Sequence, residues 1–459
     1  MAAGRGTRMK SRLAKVLHPL AGRPLLYFPV RAALDFGASR VIVVCSHDGC
    51  VPIQQCLDDL FGSGRVVCKV QVEPRGTGDA ARVGLEACTT DEVGILCGDT
   101  PLVTSEVIRE LAAALQHERA ILAFQSCCLE QPDGYGRVIR DNRSKVLSIC
   151  EHRDLRNDEE RAIREVNAGI YLGNRQALAS ALSRIKPAND QGEYYLTDVV
   201  AELASSGTVV ASLGDPDLLV GINDRAQLVE AETALYLRIA RRHALAGVTV
   251  RPGARIDDAV QIEADTVVES GTCLRGNSQI GSGNFIDIGC VVVDSRIGND
   301  NVIESHCVIE KSIVGDRTKL GPFAHLRPDS VIEDEAHIGN FVETKKTIVR
   351  KGAKANHLSY LGDGDVGEKS NVGAGTIFCN YDGYNKHRTI IGPNVFIGSD
   401  SQIVAPVNIG AGAYVATGTT VTQDVPQDAL AIGRVRQDNK LGYASKLKSK
   451  LAAAAKKKP

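Results

Sequence analysis

The pattern of aliphatic residues divides the chain into two parts. Beyond Gly247 aliphatic side chains fall at every sixth position in three runs, and Gly often follows them. A period of six fits neither an α-helix nor an alternating strand. It is typical of a parallel β-helix of hexapeptide repeats, in which each aliphatic residue points into a narrow prism. Nineteen residues in three runs keep this period: Val250, Ile256, Ile262, Val268, Leu274, Ile280, Ile286 and Val292; Val314, Leu320, Leu326, Ile332 and Ile338; Ile391, Ile397, Ile403, Ile409, Val415 and Val421.

The first part of the chain, residues 1 to about 223, alternates between strand-like and helix-like segments. Three apolar segments, 40–46, 92–103 and 120–129, read as strands, and the segment that begins at Thr104 or Ser105 reads as a helix. Strands that alternate with helices predict a mostly parallel, doubly wound sheet. In such a sheet, ligands bind at the carboxyl ends of the strands.

A third kind of pattern joins these parts. Between Asn223 and Gly247 the apolar residues recur at helical spacing, with charged residues on the other faces. We therefore predict a single linking helix. The predicted domains are residues 1–223, the linker 224–247, and the β-helix 248–459, which ends in a basic tail.

The period of six fails twice, at residues 344–361 and 379–388. Both breaks are rich in Lys, Asn, His and Tyr, whereas the neighbouring repeats are not. Insertions in a solenoid form loops on one face, so both breaks are predicted to be loops that carry chemistry. His357 in the first break is a candidate general base, and Arg327, Lys345 and Lys346 are candidate phosphate ligands.

Glycine-rich turns in the first part predict a phosphate site. The turn Ala3-Gly4-Arg5-Gly6 is followed by Arg8 and Lys15, and it lacks the spacing of a Walker A loop. Asp99 follows a strand in "CGDTP", where its carboxylate is placed to hold Mg²⁺ against phosphates. A second glycine-rich turn, residues 73–80, suits contact with a base or sugar.

Composition narrows the class of protein. The formal net charge is −1 with 24% charged residues, which gives no reason to expect nucleic acid or membrane partners. No apolar run is as long as a membrane helix and no signal peptide precedes the first loop, so a cytoplasmic location is expected. The thirteen cysteines read as reduced thiols, and the spacing of Cys45, His47, Cys50 and Cys56 fits no standard zinc site.

Several motifs resemble one family over nearly the whole chain: "AAGRGTRM", "KVLHPLAG", "GTGDA", "GYGRV", "EVNAGIY", "GNFVETKK", "NHLSYLGD", "NVGAGTIFCNYDG", "FIGSDSQIVAPV" and "GTTVT". The family is that of the bacterial bifunctional N-acetylglucosamine-1-phosphate uridyltransferase / glucosamine-1-phosphate N-acetyltransferases. The resemblance implies a Rossmann-like nucleotidyltransferase domain, a linker helix and a left-handed β-helix, assembled as a homotrimer with acetyl-CoA sites between subunits. It implies that the second domain acetylates glucosamine-1-phosphate with acetyl-CoA. The first domain then transfers UMP from UTP to N-acetylglucosamine-1-phosphate and releases pyrophosphate. The product, UDP-N-acetylglucosamine, supplies cell-wall and lipopolysaccharide synthesis.

The resemblance also implies a role for individual residues of the first domain. Arg8 and Lys15 meet phosphates, and Asp99 and Asn223 are the Mg²⁺ ligands. Gln71 reads the uracil edge, helped by Gly76 and Thr77. The UDP-sugar site comprises Ala2, Ala3, Gly4, Lys15, Gln71, Gly76, Thr77, Cys97, Gly98, Asp99, Gly136, Glu151, Asn167 and Asn223.

In the second domain His357 resembles the general base that takes a proton from the attacking amine. The implied sugar-phosphate ligands are Arg327, Lys345, Tyr360 and Asn371. The implied acetyl-CoA ligands are Ala374, Asn380, Tyr381, Ser399, Thr417 and Arg434.

One departure from the family keeps alternatives open. The family has a full β-strand before the Ala-Ala-Gly loop, where this sequence has only Met1. We expect that lack to leave Gly4 to Arg8 without an anchor, and we expect the natural protein to carry roughly ten more residues, enough for one strand. Two single-activity alternatives follow: a nucleotidyltransferase with a structural β-helix, or an acetyltransferase with a disabled first domain.

Overall fold

The computed structural model describes residues 1–4, 6–189 and 191–455. Arg5, which the sequence places in the phosphate loop, and the last four residues of the basic tail lie outside them. The chain divides into two compact units, Met1–Ile239 and the remainder from Ala240. No helix in the described ranges combines the length and the apolar character needed to cross a membrane.

The first unit alternates strands and helices, as the sequence predicts. Its strands are β1 Pro19–Leu20, β2 Arg23–Pro24, β3 Val41–Ser46, β4 Val66–Gln71, β5 Glu92–Ile95, β6 Leu122–Cys128, β7 Arg137–Arg140, β8 Val146–Cys150, β9 Glu165–Asn174 and β10 Val209–Leu213. Its α-helices are α1 Tyr27–Phe36, α2 Cys50–Phe61, α3 Thr77–Glu86, α4 Ser105–His117, α5 Asp158–Ala162, α6 Arg175–Arg184, α7 Asp198–Ala204 and α8 Pro216–Leu219. Short 3-10 turns cover Thr7–Met9, Lys15–Leu17 and His152–Asp154.

The main sheet of the first unit is mixed. Within it β6 and β10 pair in parallel, whereas β3 and β4 form a separate two-stranded parallel sheet. Strand β9 runs antiparallel to β5, β6 and β7, and β7 and β8 form an antiparallel pair. The prediction of a mostly parallel sheet is therefore wrong for this part. The physical reason is that an apolar run marks a strand without fixing the direction in which its neighbour runs, and β9 pairs antiparallel with each of its neighbours.

A groove of about 530 Å³ separates β3 from β5. Its walls are mostly apolar and include the side chains of β3, β5, α1 and α3. At one end of the groove Met1 and Ala2 bridge the two strands. The terminal amine of Met1 donates to Leu96 O (2.7 Å), and the Ala2 N–H donates to Val44 O (2.6 Å).

The helix predicted for 224–247 is observed as α9, Arg225–Leu245. The boundaries drawn from it, 1–223, 224–247 and 248–459, stay a prediction. A helix near the end of the chain, α10, covers Tyr443–Ala455 and buries none of its side chains.

The second unit is a solenoid of short parallel strands on three faces. The first face comprises Thr249–Val250, Val267–Val268, Phe285–Ile286, Val302–Ile303, Lys319–Leu320, His337–Asn340, Lys354–His357, Asn371–Val372, Phe396–Ile397, Tyr414–Val415 and Leu430–Ala431. The second comprises Arg255–Ile256, Cys273–Arg275, Val291–Val293, Val308–Glu310, His325–Leu326, Glu343–Lys345, Tyr360–Gly362, Ile377–Cys379, Gln402–Val404 and Thr420–Val421. The third comprises Gln261–Ile262, Gln279–Ile280, Arg296–Ile297, Ile313–Val314, Val331–Ile332, Ile348–Val349, Gly364–Val366, Thr389–Ile391 and Val407–Ile409.

The core of the solenoid is the row of aliphatic residues that the period of six marks. Eighteen of the nineteen are buried, and Val250, in the first coil, is half-buried. Burial of one such side chain contributes roughly 1.5–3 kcal/mol. The stacked coils therefore share one continuous apolar core.

The two breaks in the period differ in structure. The prediction of a loop is wrong for 344–361, where the strands continue on all three faces. Thr344 and Ala355 take inward positions there, exposed by 0% and 1%, and Thr344 donates to Ser330 Oγ (2.9 Å). The break is thus a change of residue type within regular coils. The prediction is confirmed for the second break, because residues 380–388 form a mostly exposed loop between Cys379 and Thr389.

Candidate active sites

Backbone hydrogen bonds hold the glycine-rich loop at the end of the sheet. The Gly98 N–H donates to Met1 O (2.8 Å), which adds to the bonds that Met1 and Ala2 make with Leu96 and Val44. Met1 and Ala2 are therefore fastened to the sheet just before the segment Gly4 to Arg8, for which the lack of an anchor was expected. Ala3 is half-buried and Gly4 exposed, so backbone groups there are accessible to a phosphate.

Gly6 brings the loop against Lys15. Its φ is +58°, and a Cβ at Gly6 would lie 2.7 Å from the Lys15 Cβ. Only glycine suits this position, because the backbone is left-handed and a side chain would collide. The close approach holds the loop beside the Lys15 ammonium.

Lys15, Asp99, Asn223 and Arg8 form one cluster. Lys15 Nζ forms an ion pair with Asp99 Oδ2 and lies 3.4 Å from Asn223 Oδ1. Arg8 Nη2 donates to the same Asn223 oxygen (3.0 Å). The Asn223 N–H in turn donates to Gln227 Oε1 (2.7 Å), which fixes the backbone that carries the amide. The structure thus assembles two cations and two oxygen ligands from segments far apart in sequence.

The oxygen atoms of this cluster fit a hard cation. Asp99 Oδ2 and Asn223 Oδ1 already converge on one positive group, the Lys15 ammonium. Carboxylate and amide oxygens are ligands of Mg²⁺, which also keeps water and phosphate oxygens in its shell. The donor set therefore suits Mg²⁺ bound together with a nucleotide.

The residues assigned to the uracil lie at the start of α3. Gln71 is buried, and its Nε2 donates to Gly76 O (3.1 Å) and to Asp79 Oδ2 (2.9 Å). Gly76 has φ of +108°, and a Cβ there would lie 2.5 Å from Tyr194 O. Thr77 Oγ1 accepts the Leu196 N–H (3.0 Å). Asp79 was missed by the sequence analysis, since its contact with Gln71 depends on the fold.

The residues assigned to the sugar also meet. The Asn167 N–H donates to Gly136 O (2.9 Å), and a Cβ at Gly136 would lie 3.4 Å from Glu151 Oε2. Glu151 Oε1 accepts a hydrogen bond from Thr197 Oγ1 (2.9 Å). Burial raises the pKa of the Glu151 carboxyl, and the Thr197 hydroxyl opposes that shift. Gly136, Glu151 and Asn167 therefore form one polar pocket.

Cys97 and Gly98 lie between the phosphate cluster and this pocket. The Cys97 thiol lies 3.5 Å from Gly169 O, and burial raises its pKa to about 12. The thiol is therefore neutral near pH 7. Gly98 leaves room for the Met1 carbonyl, which would lie 2.9 Å from a Cβ there.

His357 begins a column of stacked residues along one edge of the solenoid. The parallel register places Asn340 beside His357. Continued by two residues beyond the paired strands, the same register stacks Ala374, Ser399 and Thr417 in successive coils. Hydrogen bonds from Asp400 N to Ala374 O (2.7 Å) and from Gly418 N to Ser399 O (2.9 Å) support that order. At about 4.8 Å per coil, the column from His357 to Thr417 is about 14 Å long.

The far end of the column is marked by Arg434, whose guanidinium donates to Thr417 O. A basic group at one end and an imidazole at the other suit a long ligand with a phosphate at one end. Sequence analysis named these residues separately, and the register places them in one row.

Three of the four sugar-phosphate candidates, Arg327, Lys345 and Tyr360, lie on the second face. Arg327 and Lys345 occupy equivalent positions in successive coils, and Arg327 Nη1 donates to Glu343 Oε1 (2.7 Å). Glu343 stacks on Tyr360. Asn371 lies on the first face, in the strand that follows the one ending at His357.

The remaining candidates surround the exposed loop 380–388. Asn380 is buried and donates through Nδ2 to Asp363 Oδ2. A Cβ at Gly362 would meet both Tyr360 Oη (2.5 Å) and Asn380 Nδ2 (2.6 Å), so this glycine admits the two polar groups. The Tyr381 ring is half exposed, with the Lys386 ammonium 4.8 Å from its centroid.

Together these features define a two-domain transferase with a nucleotidyltransferase unit and a hexapeptide-repeat unit. Residues 1–168 match the MobA-like NTP transferase domain family, and residues 388–423 match the bacterial transferase hexapeptide family. Relatives named "Bifunctional protein GlmU" match over nearly the whole chain. That of Sorangium cellulosum is 54% identical over 463 residues, covering 100% of this chain and 98% of the relative. Those of Trichlorobacter lovleyi and Listeria monocytogenes are 44% and 42% identical and cover 97% of each chain.

The chain belongs to the GlmU family of bifunctional proteins. It is a bifunctional enzyme with uridyltransferase and acetyltransferase domains, and the single-activity alternatives are not supported.

Proposed function

We propose that the chain makes UDP-N-acetylglucosamine in two steps. The second domain acetylates glucosamine-1-phosphate with acetyl-CoA. The first domain then joins the product to UMP from UTP and releases pyrophosphate. The observation that carries this proposal is the cluster of Lys15, Asp99 and Asn223, because it gives the first domain a complete charged site.

In the acetyl step, we assign the base to His357. Its Nδ1 lies 3.1 Å from Oδ1, the side-chain amide oxygen of Asn340. We therefore assign the proton to Nδ1, which leaves Nε2 to accept one. The amine of the sugar attacks the thioester carbonyl while Nε2 takes its proton. The C–S bond then breaks, and CoA leaves as the thiol after its sulfur takes the proton that Nε2 holds. Arg327 and Lys345 hold the sugar phosphate, with Tyr360 and Asn371 as further ligands of the sugar.

The cofactor groove follows the column from His357. Ala374, Ser399 and Thr417 line it, Asn380 and Tyr381 flank it, and Arg434 binds a phosphate of CoA at its far end. The small side chain of Ala374 beside His357 leaves room for the thioester.

In the uridylyl step, a phosphate oxygen of N-acetylglucosamine-1-phosphate attacks the α-phosphorus of UTP. The bond to pyrophosphate breaks, and Arg8 and Lys15 hold the charge that collects on the phosphates. Mg²⁺ held by Asp99 and Asn223 would supply further positive charge against the triphosphate. The remaining UDP-sugar residues position the base and the sugar.

We propose that the second unit assembles as a homotrimer and that the enzyme is cytoplasmic. The support for assembly is an apolar ladder beside the His357 column, defined as His306, Phe323, Phe341 and Leu358. Its rings stack at 5.1 Å and 5.4 Å between centroids, and Phe323, Phe341 and Leu358 are 47%, 56% and 60% exposed. Contiguous apolar side chains at a surface favour contact with another subunit. A second copy seated there would close the acetyl-CoA groove.

The test follows free thiol and pyrophosphate separately. The purified chain is incubated with glucosamine-1-phosphate, acetyl-CoA, UTP and Mg²⁺, and a second sample receives N-acetylglucosamine-1-phosphate instead. We expect both products in the first sample and pyrophosphate in the second. Thiol release without pyrophosphate in either sample would contradict a working first domain. The control is His357→Ala, which should lose thiol release and keep pyrophosphate release in the second sample.

A further inference from the structure

Three cysteines outside both active sites converge in the first unit. The sulfur atoms of Cys45, Cys50 and Cys68 all lie within 4.8 Å of one another. Cys45 is near the end of β3 and fully buried, Cys50 is the first residue of α2, and Cys68 is on β4. The last two are half-buried, so an ion from solvent has a short path to the cluster.

The fold holds these three elements in a fixed arrangement. Strands β3 and β4 pair in parallel, with Val43 beside Cys68 and Cys45 beside Val70. Gln54 fastens α2 to β4: its Oε1 accepts the Cys68 N–H (2.7 Å) and its Nε2 donates to Val66 O (3.2 Å). The cluster is therefore built by the β3–α2–β4 connection, where each element contributes one thiol.

The group considered from the sequence was Cys45, His47, Cys50 and Cys56, whose spacing fits no standard zinc site. His47 side chain is 83% exposed, and Cys56 lies six residues after Cys50 on α2, on a different side of the helix. Cys68 joins the cluster through strand pairing, which spacing along the chain does not reveal.

We propose that Cys45, Cys50 and Cys68 form a three-thiolate site for a divalent d¹⁰ cation, Zn²⁺ or its analogue Cd²⁺. Thiolates are the ligands these ions prefer, and tetrahedral Zn–S bonds of about 2.3 Å place sulfurs about 3.8 Å apart. That separation is inside the 4.8 Å within which the three sulfur atoms lie. Three protein ligands leave the fourth position for water on the half-buried side.

The surroundings favour a divalent ion over a monovalent one. Three thiolates with a divalent ion carry one net negative charge, whereas a monovalent ion would leave two in an apolar setting. The positive end of α2, at Cys50, offsets the remaining charge. On binding, each S–H bond is replaced by a bond from sulfur to the metal, and three protons pass to solvent.

The site touches the phosphate loop through the backbone. Ala2 pairs with Cys45, and the Ala2 N–H donates to the carbonyl of the preceding residue, Val44. A bound ion would therefore stiffen the strand end to which the loop is tied. We expect the ion to raise the melting temperature of the first unit.

The test titrates Cd²⁺ and Zn²⁺ into the full chain, freed of metal and kept reduced by a phosphine, with excess Mg²⁺ present to occupy oxygen sites. We expect one Cd²⁺ per chain with a thiolate-to-metal charge-transfer band, and one Zn²⁺ that competes for it. Cys68→Ser should weaken binding by more than the roughly 10–100-fold that loss of a supporting contact costs at a metal site. Cys50→Ser should do the same. The matched control is Cys56→Ser on the same helix, which should bind like the unaltered chain.

Two results would overturn the proposal. One is the absence of a stoichiometric charge-transfer band in the folded, reduced protein. The other is a band that Cys50→Ser and Cys68→Ser both leave unchanged, which would place the ion elsewhere. Circular dichroism of each variant confirms that the chain is folded, so a loss of binding reports on the thiols themselves.

Discussion

The imidazole Nδ1 of His357 lies 3.1 Å from Oδ1 of Asn340, the residue stacked beside it in the preceding coil. This contact sets the tautomer and the ring orientation of the proposed base. Asn340 is a positioning residue, since it acts through His357.

We expect Asn340→Ala to lower kcat of acetyl transfer by about 10-fold, and His357→Ala to lower it by roughly 10²–10⁴-fold, the usual contribution of a general base. The reason is that, without the Asn340 contact, the imidazole also populates the tautomer with the proton on Nε2, which cannot act as the base. Steady-state thiol release measures both, and the pH profile of kcat should change in Asn340→Ala. Asn340→Asp, which keeps an acceptor oxygen, should restore much of the rate. An unchanged pH profile in Asn340→Ala would contradict the positioning role.

A second prediction concerns Lys15. We expect Lys15→Met to lower uridylyl transfer by roughly 10²–10³-fold, because it removes positive charge from the phosphate cluster and leaves the Asp99 carboxylate without its cation. Pyrophosphate release measures the effect. Arg12→Met, an exposed basic residue nearby, is the control and should keep near-normal activity. Equal losses in the two variants would mean that only the net charge of the segment matters.

The apolar ladder gives a third prediction. Phe341→Glu should dissociate the assembly and reduce acetyl transfer, since a carboxylate would be buried at the subunit contact. Sedimentation velocity measures the mass, and uridylyl transfer should remain. Ile313→Glu is the control, because Ile313 is 50% exposed on the third face, away from the ladder. If Ile313→Glu dissociates the assembly and Phe341→Glu does not, the subunit contact lies on the third face and the prediction is wrong.

A fourth prediction concerns Asp198, at the start of α7. Burial raises the pKa of its carboxyl from 3.8 to about 6, and Asp154 adds to the shift. Between these values the folded state binds more protons than the unfolded state, so this group's contribution to stability falls as pH rises through that window. Asp198→Asn, which stays neutral, should therefore raise the melting temperature near neutral pH. The gain should be on the order of 1–2 kcal/mol, discounted for partial exposure, and should vanish below pH 3.8. A gain that is equal at both pH values would contradict this origin.

The groove between β3 and β5 yields a fifth prediction. A variant with six residues of alternating Val and Thr placed before Met1 should fill part of the groove and pair with the strand edges. It would also move the charged amine, whose pKa burial lowers, out to solvent. A net gain of about 1–2 kcal/mol would raise the melting temperature by roughly 2–8 °C. A Gly-Ser extension of the same length is the control, and equal melting temperatures would show that the groove does not accept a strand.

Much of the fold could be predicted from local pattern. The period of six located eighteen buried residues of the solenoid between Ile256 and Val421, because most coils place an aliphatic side chain at the same inward positions. It missed others, such as Ile297, Ile303 and Ile309, because the spacing after Val292 falls to five residues. The pattern misled at Thr344 and Ala355, since small residues can also fill the prism when their polar groups bond within it. The direction of β9 was missed because apolar content predicts a strand without predicting its partner.

Site residues could be predicted where they belong to a short sequence motif. They could not be predicted where the contact is made only by the fold. Lys15 and Asp99 were named from the motifs around them and Asn223 from the resemblance, and their convergence is visible only in the structure. Asn340 had no signal of its own, because its role depends on stacking against a residue seventeen positions later. Cys68 joined Cys45 and Cys50 through strand pairing alone.

The column from His357 to Thr417 fixes the spacing between groups that contact the cofactor. Distance along it comes in whole coils of about 4.8 Å, since a fraction of a coil would break the ladder. The distance along the solenoid between the coil that carries the imidazole and the coil that carries the Arg434 guanidinium can therefore change only by whole coils. Insertion or deletion of one complete coil would keep the core intact and still place the thioester one full step away from the base.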